Sequence, residues 1–396
     1  MKKIERTAYL NRLNRLRGIP DIKVLTGVRR AGKSSLLSDW SSVLESKGTN
    51  VVYIDFTDLD NEPLKEYHAL HRHVLEHTAA GRENAVMIDE VQECPQFERA
   101  INSLHSRGGY DIYLTGSNAF LLSGDLATLF TGRQIEIPVF PFSFAEYLRY
   151  FPDDDVQSAL DSYLVRGGLA GSYVYDGDQD RAAYVREVFE TILVRDLVQK
   201  YRLAEPTVLR HLAEYLMDTI ANLTNPHRTS VQLAQNKIAT NHVTAGAYLD
   251  YLRNAFLFYP AKRYDIHGKK YLATSEKYYV SDLGFRYAVL GRRNMDYGHA
   301  YENLVFLELL RRGYDVYVGK LHTREIDFVA VRGGEKRYVQ VCDDLSGPET
   351  LQREVAPLLA IRDGYPKAVI ARTRQKEYDC NGIRIIDLAG WLAAGD

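Results

Sequence analysis

The chain has 396 residues, with 50 lysines and arginines against 52 aspartates and glutamates, and a formal net charge of −2. That balance excludes a global basic field for nucleic acid, so any such contact must come from a local patch. Three cysteines without paired spacing argue against a disulfide framework or a zinc site, and no run approaches the ~18 apolar residues that span a bilayer.

In chain order, residues 22–26 (Ile-Lys-Val-Leu-Thr) predict a strand, followed by a glycine-rich turn and a helix over 36–44. Further strands are predicted at 51–55, 85–89, 111–115 and 134–137, alternating with helical patterns. Strands that alternate with helices imply parallel pairing through right-handed crossovers, hence an α/β, doubly wound sheet with ligands at the carboxyl ends of its strands. An aromatic run over 138–152, with Phe140, Phe142, Phe144, Tyr147, Tyr150 and Phe151, closes this first domain, taken as residues 1–150.

Residues 151–225 read as a helical lid or linker, with apolar positions at helical spacing over 182–201. Residues 226–295 predict a winged helix: two short helices turning near Thr240-Asn241, the second over 243–258, then strands at 258–264 and 270–280 joined across Asp265-Ile266-His267-Gly268. Residues 296–396 form a further small α/β unit, with a helix over 301–312, strands at 315–318, 325–331 and 337–342, a helix over 349–361 and a strand at 368–371.

The chemistry concentrates in the first domain. Gly27-Val28-Arg29-Arg30-Ala31-Gly32-Lys33-Ser34, followed by Ser35, matches G-x-x-x-x-G-K-[ST] between a strand and a helix, the context that motif requires. Gly27 and Gly32 let the loop turn so that its N–H groups face phosphate oxygens, and the helix N-terminus adds partial positive charge. Lys33 is expected at the β- and γ-phosphates of ATP, and Ser34 at Mg²⁺. The run Ala85-Val86-Met87-Ile88-Asp89-Glu90 is the expected partner, with Asp89 holding Mg²⁺ and Glu90 polarising the attacking water. In Thr115-Gly116-Ser117-Asn118, Ser117 is the first candidate to touch the γ-phosphate and Asn118 the second, with a turn or helix cap equally open. Arg133, after Gly132, reads either as a finger reaching a neighbouring subunit's nucleotide or as a surface ion pair.

On these residues the chain resembles a bacterial and archaeal family of AAA-type P-loop ATPases. The resemblance is carried by Leu25 to Ser34, Ile88-Asp89-Glu90-Val91-Gln92, Leu114 to Asn118, Gly132-Arg133, Pro141-Phe142-Ser143-Phe144-Ala145-Glu146-Tyr147, Gly167-Gly168-Leu169 and Val194-Arg195-Asp196. It implies ATPase activity, homo-oligomers with a ring among the arrangements open to them, and a C-terminal winged helix joined to a restriction-endonuclease-like fold. In that fold a helical Glu, an Asp and the Glu of a Glu-x-Lys on the next strand hold Mg²⁺ through their carboxylates, and the lysine stabilises charge at the scissile phosphate. Here the matching positions are Glu302, Asp327 and Gln340, with Gln340-Val341-Cys342 lacking both the carboxylate and the lysine, so the unit is expected to be vestigial as a nuclease. Lys262, Arg263, Lys269 and Lys270, interleaved with Tyr264 and Tyr271, are candidate DNA contacts or an ordinary solvated face. The resulting expectation is a cytoplasmic Mg²⁺-dependent ATPase that acts on DNA. The alternatives are an ATP-gated switch for a protein partner and an ATP-regulated metal-dependent nuclease.

Overall fold

A computed structural model describes residues 2–116, 130, 132–152, 155–291, 296–345 and 347–395, leaving out the side chains of 273 and 274. Two compact units are resolved: Lys3–Phe140 with Asn254–Phe256, and Pro141–Arg253 with Leu257–Asp396 and the N-terminal residues. Among the described residues no helix is long and apolar enough to cross a membrane.

The first unit is built on a parallel sheet of β1 (Ile22–Thr26), β2 (Asn50–Asp55), β3 (Asn84–Asp89), β4 (Tyr110–Thr115) and β5 (Gln134–Pro138), in the order β2-β3-β4-β1-β5. Every residue of β1 and β3 is buried, as expected of strands covered on both faces. One face packs Ile22, Val24, Ile54, Val86, Ile88 and Leu114 against Leu70 and Val74 of α3 (Tyr67–Glu76) and Ile101 and Leu104 of α4 (Phe97–Arg107). The other face meets α2 (Lys33–Ser46), whose Trp40 lies edge-on to Tyr113 at 6.2 Å. Lys23 is wholly buried on this face, and its ammonium pairs with Asp111 at 2.5 Å. Because β4 lies between β1 and β3, the loops leaving all three strands open side by side at the carboxyl edge. Helix α1 (Thr7–Leu16) precedes β1.

The aromatic run belongs to the second unit from Pro141 onward. Ser143 and Glu146 form a reciprocal capping box that starts α5 (Phe144–Tyr150). The rings of Phe144, Tyr147, Tyr163 and Tyr173 pack at centroid distances of 5.3 to 6.3 Å. Gly167-Gly168, after α6 (Val156–Arg166), has a steric cause: a Cβ on Gly167 would lie 1.8 Å from Asp282 Oδ1, and one on Gly168 2.3 Å from the Phe142 carbonyl oxygen. The Gly168 N–H donates to Asp282 Oδ2 at 2.5 Å. The helical stretch expected over 182–201 is α7 (Asp178–Thr191), which widens into a π-helix at Ile192–Gln199 containing Val194-Arg195-Asp196.

There follow α8 (Pro206–Asp218), the short β6 (Leu223–Thr224), α9 (Pro226–Gln235), α10 (His242–Asn254), β7 (Phe258–Asp265) and β8 (Lys270–Val280). Helix α10 stops at Asn254, four residues before the expected end at 258, and Phe256 then takes a left-handed conformation at φ 53° that turns the chain into β7. β8 pairs antiparallel with β7 and with β6.

After α11 (Leu283–Leu290) come α12 (Tyr297–Arg311), β9 (Asp315–Leu321), β10 (Arg324–Arg332), β11 (Glu335–Cys342), α13 (Pro348–Leu359), β12 (Lys367–Ala371), β13 (Tyr378–Cys380), β14 (Ile383–Asp387) and α14 (Leu388–Ala393). β7 runs parallel to β9, with Tyr264 opposite Gly319, so one nine-stranded sheet, β13-β14-β12-β11-β10-β9-β7-β8-β6, carries both the 258–280 hairpin and the terminal α/β part. Gly319 permits the close fit, since a Cβ there would lie 2.9 Å from both Ile326 Cβ and a Val329 methyl.

Candidate functional site

Thr26 ends β1, and Gly27 follows at φ 139°. A Cβ on Gly27 would sit 2.0 Å from the Val139 carbonyl oxygen, so only glycine lets the loop pass that close to the end of β5. Arg30 (φ 66°) and Gly32 (φ 94°) both take left-handed conformations, which wind Gly27 to Gly32 into a compact loop closed by Ala31 N–H donating to the Val28 carbonyl at 3.1 Å. Helix α2 opens directly at Lys33, and its N-cap, Gly32, offers no side-chain cap to the first amides. Those first-turn N–H groups have no intrahelical acceptor and carry the positive end of the helix dipole.

Lys33 is buried, and its ammonium curls back to donate to the Gly27 carbonyl at 2.9 Å and the Val28 carbonyl at 3.2 Å. Ser34 and Ser35 are exposed at the loop's mouth, Arg29 is half-buried and Arg30 exposed. Val28 and Ala31 are buried and seat the loop on the core.

Asp89, at the end of β3, is 2% exposed and accepts hydrogen bonds from the hydroxyls of Thr115 and Ser34. Burial pushes its carboxyl upward, while the two hydroxyl bonds pull it back and the charges of Glu90 and Asp55 add to the rise. Glu90 stands at φ 51°, in the left-handed region, with its N–H donating to Thr115 Oγ1 at 3.2 Å. Its carboxylate accepts from the Gln92 amide. Thr115 therefore bridges the two acids, accepting from the Glu90 backbone and donating to the Asp89 side chain.

The structure thus brings Gly27 to Ser35, Asp89 and Glu90 to one edge of the sheet. Ser117 and Asn118 lie outside the described residues. Arg133 is not brought to this edge: it is exposed at the opening of β5, its carbonyl accepting from the Ile22 N–H at 2.9 Å, and the whole five-residue β1, ~16 Å at strand rise, separates Ile22 from the phosphate loop.

Two participants were missed from sequence. The sequence favours Ser117 over Thr115, whose signal is its place as the last residue of β4, beside β3. Arg6 is 4% exposed and clamps the loop, donating to the carbonyls of Ala31 at 3.0 Å and Phe140 at 2.9 Å while its guanidinium lies 4.4 Å from the Tyr9 ring centroid. No local pattern marks Arg6, because its partners are remote in sequence.

In the second unit, Lys262, Lys269 and Lys270 are exposed on the β7–β8 hairpin and Arg263 is half-buried within β7. Asp265 shapes the hairpin turn by accepting the N–H groups of His267 at 3.1 Å and Gly268 at 3.0 Å. Tyr271 is 62% exposed and packs against Tyr264 and Tyr317. Glu302 on α12, Asp327 on β10 and Gln340 on β11 do converge: Gln340 Oε1 accepts from the Asp327 N–H at 3.4 Å, Asp327 Oδ2 accepts from the Val341 N–H at 2.8 Å, and Lys277 of β8 lies between Glu302 and Asp327.

Residues 20–148 match the AAA domain family, and residues 157–296 match a domain of unknown function (DUF8612). An uncharacterized protein of Haemophilus influenzae is 36% identical over 398 aligned positions, covering 98% of each chain. An uncharacterized protein of Methanocaldococcus jannaschii, MJ1544, is 25% identical over 91% of this chain and 83% of its own length. Among solved structures, the replication initiator DnaA bound to AMPPCP and single-stranded DNA aligns with 64% of this chain and 89% of its own, at 17% identity and a TM-score of 0.34, a likeness that bears on no function. With both chains matched over nearly their whole length, the protein belongs to the same family as the Haemophilus influenzae protein and carries an AAA domain at residues 20–148.

Proposed function

We propose that the chain is a Mg²⁺-dependent ATPase that works as a homo-oligomer on DNA. The observation that carries the ATPase reading is the single edge formed by the Gly27–Ser35 loop, the buried Lys33 and the hydroxyl-bridged Asp89–Glu90 pair. Loop amides and the α2 N-terminus bind the phosphates, and Lys33 exchanges its two carbonyl partners for β- and γ-phosphate oxygens. The Ser34 hydroxyl and Asp89 carboxylate, already bonded to each other, are hard oxygen donors of the kind Mg²⁺ takes beside phosphates and water. Held by these two groups, Mg²⁺ would supply the positive charge that offsets what develops on the transferring phosphoryl group. Glu90 orients and polarises the attacking water, its backbone held in place by Thr115.

The DNA reading is supported by element order. Helix, short strand, helix, helix and two-stranded hairpin, with the short strand paired to the far strand of the hairpin, is an order compatible with a winged helix. Its wing carries Lys262, Lys269 and Lys270 into solvent beside Tyr271, which suits phosphate contact with base stacking.

The test is the rate of ATP hydrolysis with single-stranded, duplex and branched DNA, run beside sizing in ATP. Stimulation by one DNA form together with ATP-dependent assembly is the expected result. Hydrolysis that no DNA alters, with no DNA binding at low salt, would remove the DNA reading in favour of an ATP-gated switch for a protein partner.

A further inference from the structure

The nuclease pattern calls for a divalent cation among a helical Glu, a strand Asp and a carboxylate with a lysine on the following strand. Glu302 and Asp327 occupy the first two places, but β11 offers Gln340 and Cys342 for the others. The positive charge comes instead from outside the terminal α/β part. Lys277, on β8, reaches Glu302 Oε1 at 2.9 Å, Glu325 Oε1 at 2.8 Å and Asp327 Oδ1 at 4.0 Å. Tyr279, two residues on and so on the same face of β8, donates to the same Glu302 oxygen at 2.6 Å.

This arrangement does not fit a metal. Mg²⁺ needs oxygens at about 2.0–2.1 Å in a near-octahedral shell, and an ammonium already stands at hydrogen-bond distance from two of the carboxylates. The carboxylate oxygens a divalent ion would need are already engaged by the ammonium and by the Tyr279 hydroxyl. Among the described residues no group of three or more acids, histidines and cysteines is placed to hold a metal. Access is narrow as well: Lys277, Glu302 and Asp327 are 5%, 6% and 8% exposed, and Glu325 alone of the four reaches solvent substantially, its side chain 35% exposed.

We propose that the Lys277 ammonium is the resident cation of this acid cluster, standing where a nuclease-like fold would carry its metal, so that the cluster fastens the β7–β8 hairpin to α12 and β10 rather than cutting nucleic acid. This rests on reading Glu302, Asp327 and Gln340 as a nuclease-derived pattern and is independent of the ATPase assignment.

The experiment counts bound Mn²⁺ in the nucleotide-free full chain by electron paramagnetic resonance, for wild type, Asp327→Asn and Lys277→Ala. Supercoiled plasmid is incubated in parallel with Mn²⁺ or Mg²⁺. Each comparison is a difference, so any Mn²⁺ at the phosphate loop cancels. We expect wild type and Asp327→Asn to bind equal Mn²⁺, plasmid to stay intact with both, and Lys277→Ala to gain one Mn²⁺ per chain that also raises its unfolding midpoint. A wild-type Mn²⁺ site lost in Asp327→Asn, or nicking lost with that substitution, overturns the proposal and makes Lys277 a lysine of a working nuclease. A folded Lys277→Ala with no added Mn²⁺ site also overturns it. Should Lys277→Ala fail to fold, the comparison of wild type with Asp327→Asn still decides.

Discussion

Thr115→Val tests the reasoning at its least obvious residue. Valine keeps the shape of a side chain that is 0% exposed and removes only the hydroxyl. That hydroxyl makes two bonds, accepting from the Glu90 N–H and donating to Asp89. Losing a hydrogen bond to a charged group costs about 1.5–3 kcal/mol, and losing the part-buried bond from the Glu90 N–H about 0.5–1.5 kcal/mol. Glu90 is also freed to leave its left-handed φ of 51°, which withdraws its carboxylate from the water it is to polarise. We expect hydrolysis at saturating Mg²⁺–ATP to fall about 10- to 100-fold, equivalent to about 1.4–2.7 kcal/mol, while Lys33 and the loop amides keep nucleotide affinity within a few-fold. A pH shift should accompany it. The Asp89 carboxyl is already raised by burial and held back by two hydroxyl donors, so in the metal-free chain losing one raises it further, and the lowest pH at which Mg²⁺ supports hydrolysis moves up. Thr115→Ser should restore both. A valine variant turning over at the wild-type rate, or a serine variant as impaired as valine, would refute the role given to this hydroxyl.

Gly27→Ala should cost about 2–5 kcal/mol through backbone overlap with Val139 and strain at positive φ and abolish nucleotide binding, whereas Gly18→Ala, at φ 73° with open space around it, should cost only about 1–2 kcal/mol; paired thermal unfolding curves compare them. Asp282, pushed by burial from 3.8 up to about 6, binds its proton more tightly in the folded chain. Its contribution is therefore full below about pH 4 and is lost as pH rises through 6, so wild type should lose about 3 kcal/mol relative to Asp282→Asn between pH 4 and 8, and parallel slopes of stability against pH would contradict this. Replacing Lys262, Lys269 and Lys270 by alanine should lower the salt dependence of DNA binding by about 1 per lysine in log–log slope, and an unchanged slope would place the contact elsewhere.

The phosphate loop is legible in the sequence because its chemistry lies in eight consecutive residues whose spacing is itself the mechanism. The strands of the first sheet are legible for a similar reason, since Ala85-Val86-Met87-Ile88 announces a buried strand without reference to anything else. What escapes is whatever depends on remote pairing. The order β3-β4-β1, which sets Thr115 against Asp89, is a property of the assembled sheet. Arg6 reaches Phe140 across 134 positions. The hairpin at 258–280 joins the terminal strands through a parallel pairing of 263–265 with 318–320, which no local pattern announces. The nuclease motif places its lysine on β11, while the ammonium enters from β8, 25 positions before Glu302. Gly167-Gly168 carries only a resemblance in the sequence, because its cause, the carboxylate of Asp282, lies more than a hundred positions away.

The most direct measurement is nucleotide binding and phosphate release with Mg²⁺–ATP by wild type, Lys33→Ala and Glu90→Gln. The account predicts hydrolysis by wild type, loss of both binding and hydrolysis in Lys33→Ala, and retained binding without turnover in Glu90→Gln. Equal affinity for ATP in wild type and Lys33→Ala, or undiminished turnover in Glu90→Gln, would contradict it.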